Sequence, residues 1–339
     1  MLGLMTISVT FASSVFSTAM QPTLRQFGVS QEVMVLRTIL FVLGFSFGPS
    51  IFGPLSELYG RKMPLFMGLF IFSIFQITVA VAQNLQTIFV RRFLSSVFAS
   101  APLAIVWLFF VFLGCDEAND KVGGMLADIF DPVDRATAVA IFAANTFIGP
   151  VAGPVVCSFI TMSYLGWRGI EYITAIMAFF FATVCFFFVP ETFKPVLIQQ
   201  RAKRLRHETK NWALHVKSEE KPVDVKVIGH NYLLRPIVLI ALEPILVLIT
   251  LYTGFIYRFL YLCFEAYPIS FQEERGWNMG VGELPSIAAT VRVLCGCGII
   301  IFFTKVRFQS VLEKTGKVIP GERLIPMMIG GVLLPAGVF

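Results

Sequence analysis

Charged residues are scarce in this chain of 339 residues: Asp, Glu, Lys and Arg make up 14% of it, whereas 56% of the residues are hydrophobic. The mean hydropathy is +0.78. So little polar surface cannot cover a water-soluble body of this size. The composition therefore disfavours soluble fold classes.

The residues that usually build metal sites and catalytic sites are also few and badly spaced. The three histidines, His207, His215 and His230, all fall in one polar segment, and the six cysteines form no CxxC pair. No phosphate-binding loop or nucleophile elbow occurs at recognisable spacing. We therefore predict that the protein is not an enzyme and holds no metal or other cofactor.

Long uncharged runs occupy most of the chain. Six of them lack Asp, Glu, Lys and Arg altogether: residues 1–24, 38–56, 63–90, 93–115, 136–167 and 172–190. A helix needs about 20 apolar residues to cross the ~30 Å of hydrocarbon in a bilayer. The runs are apolar on every face, as in membrane helices, rather than alternating as in barrel strands. This pattern predicts an all-α integral membrane protein.

The hydropathy pattern divides the chain into spans and one long connector. The predicted spans are residues 1–22, 34–55, 64–82, 88–113, 136–160, 170–190, 237–262 and 284–304, and a ninth begins near Leu324. The predicted domains are a six-helix unit over 1–190, a basic loop over 191–235 and a partial second unit over 236–339. The loop carries ten Lys/Arg and five acids, which is +5 of the net charge of +6.

The basic residues also predict an orientation. Even-numbered loops hold 19 Lys/Arg and odd-numbered loops hold 6, so the positive-inside rule puts the N-terminus and the 191–235 loop in the cytoplasm. Within that loop, residues 196–211 form a basic amphipathic stretch. Two interpretations of this stretch stay open: a helix that lies on an anionic leaflet, or a solvated charged helix that only fixes orientation.

A sequence motif follows the second predicted span, in residues 53–65, which we call the signature loop. Its motif residues are Gly53, Glu57, Gly60, Arg61 and Lys62. The segment resembles the G-x-L-a-D-R-x-G-R-K-x-x-L loop of the major facilitator superfamily, with Glu57 in place of Asp and Leu58 in place of Arg. Glycine permits the tight turn and close helix approach, and the charges can pair across the membrane face.

A second motif lies in the fifth predicted span. Gly149, Pro150, Gly153 and Pro154 resemble the superfamily's antiporter motif, G-x-x-x-G-P-x-x-G-P, with Asn145 in place of its first glycine. Further segments are similar to the fungal-type drug and polyamine proton antiporters: Leu126-Ala-Asp128-Ile-Phe, Val189-Pro-Glu191-Thr192-Phe, Arg201-Ala-Lys-Arg-Leu-Arg206, Arg235-Pro236, Glu243-Pro244 and Glu265-Ala-Tyr-Pro268. The resemblance implies a bundle with a complete first six-helix half and an incomplete second half.

Two expectations concern the extent of the chain. Members of that family have twelve helices with the substrate between the halves, so about nine of twelve are expected here, and we expect a chain of this length not to transport by itself. Residues 107–122 also interrupt the family pattern, and two hypotheses stay open for them: they lengthen the fourth span and push an acidic loop into the cytoplasm, or they come from a retained intron.

Several residues are candidates for function. The resemblance gives Arg92 a role in proton coupling; the alternative is an interfacial arginine that reaches outward. It also suggests that Asp128 pairs with Arg61 as an inner gate. In the seventh span, Glu243 and Glu265 bracket Tyr252, Tyr257 and Tyr261. The substrate candidates are Asn145, Tyr257, Tyr261 and Glu265.

These features predict a secondary transporter, a proton-coupled efflux carrier for drug-like molecules or polyamines in the plasma membrane. Its expected partners are protons, a small-molecule substrate and lipid; neither nucleic acid nor an oligomer is implied. The alternative is a non-transporting membrane protein, such as a receptor-like remnant or assembly partner that keeps the fold.

Overall fold

The computed structural model describes residues 2–111, 132–191, 193–213, 216, 235–315 and 325–338. Throughout these residues the regular structure is helical. The helices of the first part are α1 (Leu2–Ser14), α2 (Phe16–Phe27), α3 (Gln31–Tyr59), α4 (Lys62–Ala80), α5 (Leu85–Val111), α6 (Pro132–Met162) and α7 (Gly166–Phe188). The later helices are α8 (Lys194–Thr209), α9 (Arg235–Leu242), α10 (Pro244–Tyr267), α11 (Met279–Gly282), α12 (Ser286–Phe303), α13 (Gln309–Thr315) and α14 (Ile325–Val338).

The described helices confirm the predicted fold class. Seven stretches are long and apolar enough to cross a bilayer, and α1 with α2 makes an eighth if the bent pair is one span. Three predicted spans differ in detail; the eighth, predicted to end at residue 304, continues through a π-helical segment, Thr304–Phe308, into α13. The first is two helices bent by 43° near Val15, and it continues to Phe27. The seventh extends past residue 262, because α10 runs on through a π-helical segment, Pro268–Glu274.

Close packing of α3 on α5 holds the centre of the bundle together. A side chain added at Gly44 would lie 2.6 Å from the carbonyl oxygen of Phe93, and one at Gly48 would lie 2.8 Å from that of Val97. Glycines four residues apart remove the side chains that would separate two backbones. Around this contact lies an apolar core that includes Phe41, Phe52, Leu65, Leu69 and Phe72.

The hydroxyl groups of α1 are satisfied within the helix. Thr10 Oγ1 donates to the Thr6 carbonyl oxygen at 2.8 Å, and Ser13 Oγ donates to the Thr10 carbonyl oxygen at 2.7 Å. Such bonds to the preceding turn let serine and threonine enter an apolar bundle, and they often bend the helix. They lie directly before the bend at Val15.

The helices α10 and α12 lie beside the first seven helices. The helix α12 packs on α6, and α10 contacts α1 and α6 through aromatic side chains. Their outer faces expose large aliphatic and aromatic residues, among them Leu248, Leu251, Leu294 and Phe302. A broad apolar surface of this kind suits contact with lipid.

Candidate functional site

The signature loop makes its turn at Gly60, between the end of α3 and the start of α4. The φ angle of Gly60 is +87°, a positive value that residues with a Cβ atom rarely adopt. A Cβ atom at this position would lie 2.6 Å from Oε2 of Glu191. Glycine is therefore needed for both the backbone conformation and the approach of this carboxylate.

Glu191 is bound to the signature loop from the far end of α7. Its carboxylate accepts hydrogen bonds from the backbone N–H groups of Arg61 at 3.1 Å, Lys62 at 3.0 Å and Phe193 at 3.0 Å. A carboxylate at the first N–H groups of α4 satisfies donors that no helical carbonyl can reach, and it favours the helix dipole. Glu191 therefore locks the turn between α3 and α4 to the end of α7.

The basic side chains of the loop stack on aromatic rings at the same face. The Arg61 guanidinium lies 5.4 Å from the centre of the Phe193 ring, and Lys62 Nζ lies 4.8 Å from that of Phe186. Burial lowers the pKa of Arg61, while the charges of Glu191 and Glu57 oppose this shift. The predicted partner Asp128 lies outside the described residues, so its pairing with Arg61 stays a prediction.

Arg92 is buried where four helices meet. Only 1% of the residue is exposed, so it does not reach outward to the membrane surface. Its Nη1 lies 3.7 Å from Oε1 of Glu171 in α7, and its Nη2 donates to the carbonyl oxygen of Ala12 in α1 at 3.5 Å. The guanidinium also lies 4.8 Å from the centre of the Phe41 ring in α3.

Arg37 joins Arg92 and Glu171 in what we call the buried charge network. All three residues are 1% exposed, and Arg37 interacts electrostatically with both of the others. Its guanidinium lies 6.0 Å from the centre of the Trp167 ring. Charges inside a bilayer are costly and are kept mainly where they do work or are paired. The network is therefore a candidate for proton handling.

Sequence reasoning missed Arg37 and Glu171 because each directly precedes an uncharged run. The predicted spans 34–55 and 170–190 include both residues, but only among their first four positions, where a charge is ordinary at a membrane surface. The helices begin earlier, at Gln31 and Gly166, which carries the two charges inside the bundle. Counting back one or two helical turns from each run would have found them.

The antiporter motif packs α6 against α1. A side chain at Gly149 would lie 3.0 Å from the carbonyl oxygen of Ile7, and one at Gly153 would lie 3.2 Å from that of Phe11. Asn145, one turn earlier on α6, faces Gly3 at the start of α1. Pro150 and Pro154 follow the two glycines within the same continuous helix. The motif thus brings α1 and α6 close together along one wall of the interface with α10.

Aromatic and hydroxyl groups form the contact between α10 and that wall. The rings of Tyr257 and Phe147 stack with their centres 5.7 Å apart and an angle of 27° between the planes. Tyr261 donates its hydroxyl hydrogen to Ser13 Oγ at 3.3 Å. Two predicted substrate residues, Tyr257 and Tyr261, therefore meet residues of α6 and α1. Sequence reasoning did not single out Ser13 or Phe147, which are ordinary in an apolar run.

The two carboxylates predicted to bracket these tyrosines have different surroundings. Glu243 is exposed at the break between α9 and α10, directly before Pro244. It therefore lies at the start of the helix rather than beside Tyr257 and Tyr261. The side chain of Glu265 lies outside the described residues. A buried carboxylate that the sequence did not indicate is Glu283, whose Oε1 accepts a hydrogen bond from Gln272 Nε2 at 3.5 Å.

Comparison with known families gives two matches along the chain. Residues 122–339 match the Major Facilitator Superfamily, and residues 1–110 match the family described as sugar (and other) transporters. The first match alone covers more than half of the chain.

Individual relatives are similar over almost the whole chain. An MFS-type transporter of Penicillium crustosum is 47% identical over 97% of the chain and 63% of its own length. A citrinin biosynthesis cluster MFS transporter of Monascus ruber is 46% identical over 99% of the chain and 64% of its own length. An ascochitine biosynthesis cluster MFS transporter of Didymella fabae is 44% identical over 100% of the chain and 63% of its own length. The chain thus spans just under two thirds of the length of these relatives.

The membrane-length helices, the signature loop held at the start of α4 and the family match agree with one another. The chain therefore belongs to the major facilitator superfamily as a multi-pass membrane protein.

Proposed function

We propose that this chain belongs to a proton-coupled antiporter that exports small organic molecules of a drug-like or polyamine kind. The observation that carries the proposal is the buried ion pair between Arg92 and Glu171. Family membership and the names of relatives, which include transporters of citrinin and ascochitine biosynthesis clusters, support a carrier for small molecules.

The ion pair has the properties that proton coupling requires. A desolvated carboxylate next to a guanidinium is stable only while both are charged, because removing one charge leaves the other buried alone. Protonation of Glu171 would weaken its attraction for Arg92. The charged or titratable groups around Glu171 are Arg92 from α5, Arg37 from α3 and the Cys157 thiol from α6. A proton at Glu171 would thus change the forces between α3, α5 and α7.

The substrate site in this proposal is the interface of α10 with α1 and α6. It contains the Tyr257–Phe147 ring stack and the hydrogen bond from Tyr261 to Ser13. Aromatic faces bind organic cations and flat aromatic solutes well. In this proposal residues 1–190 form one moving unit, residues 236–339 belong to the second, and the 191–235 connector lies in the cytoplasm.

Because the chain spans less than two thirds of the length of its relatives, the test uses a version extended at its carboxyl end and reconstituted into liposomes with an imposed pH gradient and a fluorescent organic cation. Two assays are compared: uptake driven by the gradient, and exchange of labelled for unlabelled cation without a gradient. Glu171→Gln should abolish the driven uptake and keep the exchange, because a glutamine cannot carry the proton. Glu283→Gln is the matched control, since Glu283 is also buried and lies outside the buried charge network.

Three outcomes would contradict the proposal. Driven uptake by Glu171→Gln at the rate of the unchanged chain would exclude Glu171 from coupling. Equal loss of driven uptake in Glu283→Gln would indicate general damage from losing a buried charge. An extended version that neither exchanges nor accumulates any cation would favour the non-transporting alternative.

A further inference from the structure

The helix α8 is a feature that the proposed transport function leaves without a role. It begins three residues after Glu191, whose carboxylate binds the first N–H groups of α4. Since α7 ends and α4 begins at the same face of the bundle, α8 starts at the height where these two spans leave the bilayer. The helix carries five Lys/Arg and one Glu over 16 residues.

The two sides of α8 differ in exposure. Val196, Gln199, Ala202 and Arg206 are half-buried on one side. On the other side Leu197, Ile198 and Leu205 are exposed by 42%, 47% and 40% of their surface. With about 100° of rotation per residue, these three aliphatic side chains share an arc of roughly 100°.

Two arginines accompany the exposed aliphatic arc. Arg201 falls inside the arc and Arg204 at its edge, and both are exposed. Arg204 also pairs with Glu208 at 2.8 Å, one turn further along the helix. Water solvates the arginine heads well but gives the leucine and isoleucine side chains nothing to pack against. A partner for this side of α8 must therefore be apolar and anionic at once.

We infer that this side of α8 binds anionic phospholipids of the leaflet that carries the signature loop. A bilayer surface offers phosphate groups next to hydrocarbon, at the height where the helix begins. A helix with aliphatic residues flanked by basic ones lies in such an interface, and anionic lipid contributes about 1 kcal/mol for each basic residue near the surface. The helix net charge of +4 complements that surface.

Lipid on α8 has a direct connection to the signature loop. Phe193 precedes α8, its N–H group donates to the Glu191 carboxylate, and its ring lies against the Arg61 guanidinium. A shift of α8 toward the bilayer therefore acts on the same carboxylate that caps α4. The lipid composition of this leaflet should influence how firmly the signature loop is held.

The experiment uses Trp212 as a reporter, because this exposed ring lies just past the end of α8, 5.6 Å from the His207 ring. The chain is placed in nanodiscs with a rising fraction of brominated phosphatidylglycerol or, separately, brominated phosphatidylcholine. The Trp212 signal is the fluorescence that disappears in Trp212→Phe. We expect the anionic lipid to quench this signal at a lower fraction than the zwitterionic lipid does.

Matched variants separate the proposed surface from total charge. Arg201→Gln should weaken the apparent affinity for the anionic lipid about five-fold, the effect of one basic residue at a membrane surface. Lys203→Gln removes the same charge from an exposed residue of the same helix, roughly 160° away around its axis, and should change the affinity much less. Leu205→Gln should reduce quenching by both lipids.

Three results would overturn the inference. Equal losses in Arg201→Gln and Lys203→Gln would show that only the total charge matters. Equal quenching by the two lipids in the unchanged chain would remove the anionic preference. If polyglutamate protects the Trp212 fluorescence from quenching by iodide in detergent micelles while anionic lipid does not, the partner is an acidic protein. None of these results depends on transport, so they leave the proposed function to its own test.

Discussion

Arg92 and Glu171 are both fully buried, and each is stable there because of the other. Moving either charge out of water costs several kcal/mol, and the attraction at 3.7 Å offsets much of that cost. Arg37 adds a second positive charge within electrostatic range of the same carboxylate. The energy of this group therefore depends strongly on whether Glu171 is ionised.

A double-mutant cycle tests this dependence. Glu171→Gln or Arg92→Gln alone should destabilise the chain by about 3 to 5 kcal/mol, because each leaves a buried charge without its partner. The double variant should lose less than the sum, with a coupling energy of about 1 to 3 kcal/mol. The free energy of unfolding is measured for the unchanged chain, the two single variants and the double variant in mixed micelles with increasing dodecyl sulfate. Additive losses would mean that the two side chains do not stabilise each other.

Glu191 provides a second prediction for a single side chain. Glu191→Ala removes the acceptor from two backbone N–H groups at the start of α4 and from that of Phe193 before α8, and it should destabilise the fold by about 1 to 3 kcal/mol. Protease cleavage at the signature loop should become faster. Glu208→Ala is the control, because Glu208 is exposed and its pair with Arg204 should contribute less than about 1 kcal/mol. Similar losses in both variants would argue against a capping role.

The sequence predicted some of these residues and not others for a physical reason. The resemblance to the major facilitator superfamily singled out Arg92, and Glu191 was noted only as part of a similar segment. The fact that Glu191 binds the signature loop depends on how α7 and α4 pack, which residue spacing does not encode. Arg37 and Glu171 become neighbours only in the folded bundle.

At the level of helices, glycine positions decide which pairs approach closely. Gly48→Ala should push α3 away from α5, because the new methyl group would lie 2.8 Å from the Val97 carbonyl oxygen and against Ser100. We expect a loss of roughly 1 to 3 kcal/mol in the same unfolding assay. Gly254→Ala is the matched control: Gly254 lies in α10 with open space where its side chain would be, and alanine favours helix by about 1 kcal/mol. An equal change in the free energy of unfolding in the two variants would contradict the packing described for α3 and α5.

The lengths of uncharged runs predicted where membrane helices lie but not where they bend. The spans predicted for α3, α4, α5, α6 and α7 match the described helices to within about four residues at each end. No proline or charge marks the 43° bend near Val15 in the sequence. The bend follows serine and threonine residues whose hydroxyl groups donate to backbone carbonyl oxygens of the same helix. The break between α9 and α10 does have a signal, since Pro244 lacks the N–H group that a continuous helix would use.

For the whole molecule, the packing predicts which exposed residues share a membrane face. Glu191 holds the end of α7 against the start of α4. The exposed positions of Tyr59→Cys and Trp212→Cys should therefore react with a membrane-impermeant maleimide from the same side of the membrane. A cysteine at Tyr164, which is 95% exposed at the opposite end of α7, should react from the other side. Labelling of intact and permeabilised cells, after subtraction of the parent chain, measures this. Labelling of Tyr59→Cys and Trp212→Cys from opposite sides of the membrane would contradict the described packing.

The overall architecture was easier to predict than the site. Hydropathy and the signature loop were enough for the fold class, because crossing a bilayer imposes length and composition on every span. The contact of Tyr257 with Phe147 and of Tyr261 with Ser13 joins residues more than 100 positions apart. No local pattern marks such partners, and in the proposed function they are the residues that meet a bound molecule.

One consequence follows from the hydrogen bonds of Ser13. Its hydroxyl hydrogen is already given to the Thr10 carbonyl oxygen, so towards α10 Ser13 offers only lone pairs, and Tyr261 supplies the hydrogen. At the proposed site, a solute that displaces Tyr261 while the Ser13–Thr10 bond stays in place therefore needs an N–H or O–H group of its own to bond to Ser13. Among otherwise equal competitors, a secondary amine should enter at this point more readily than its ether analogue, which has only acceptors to present.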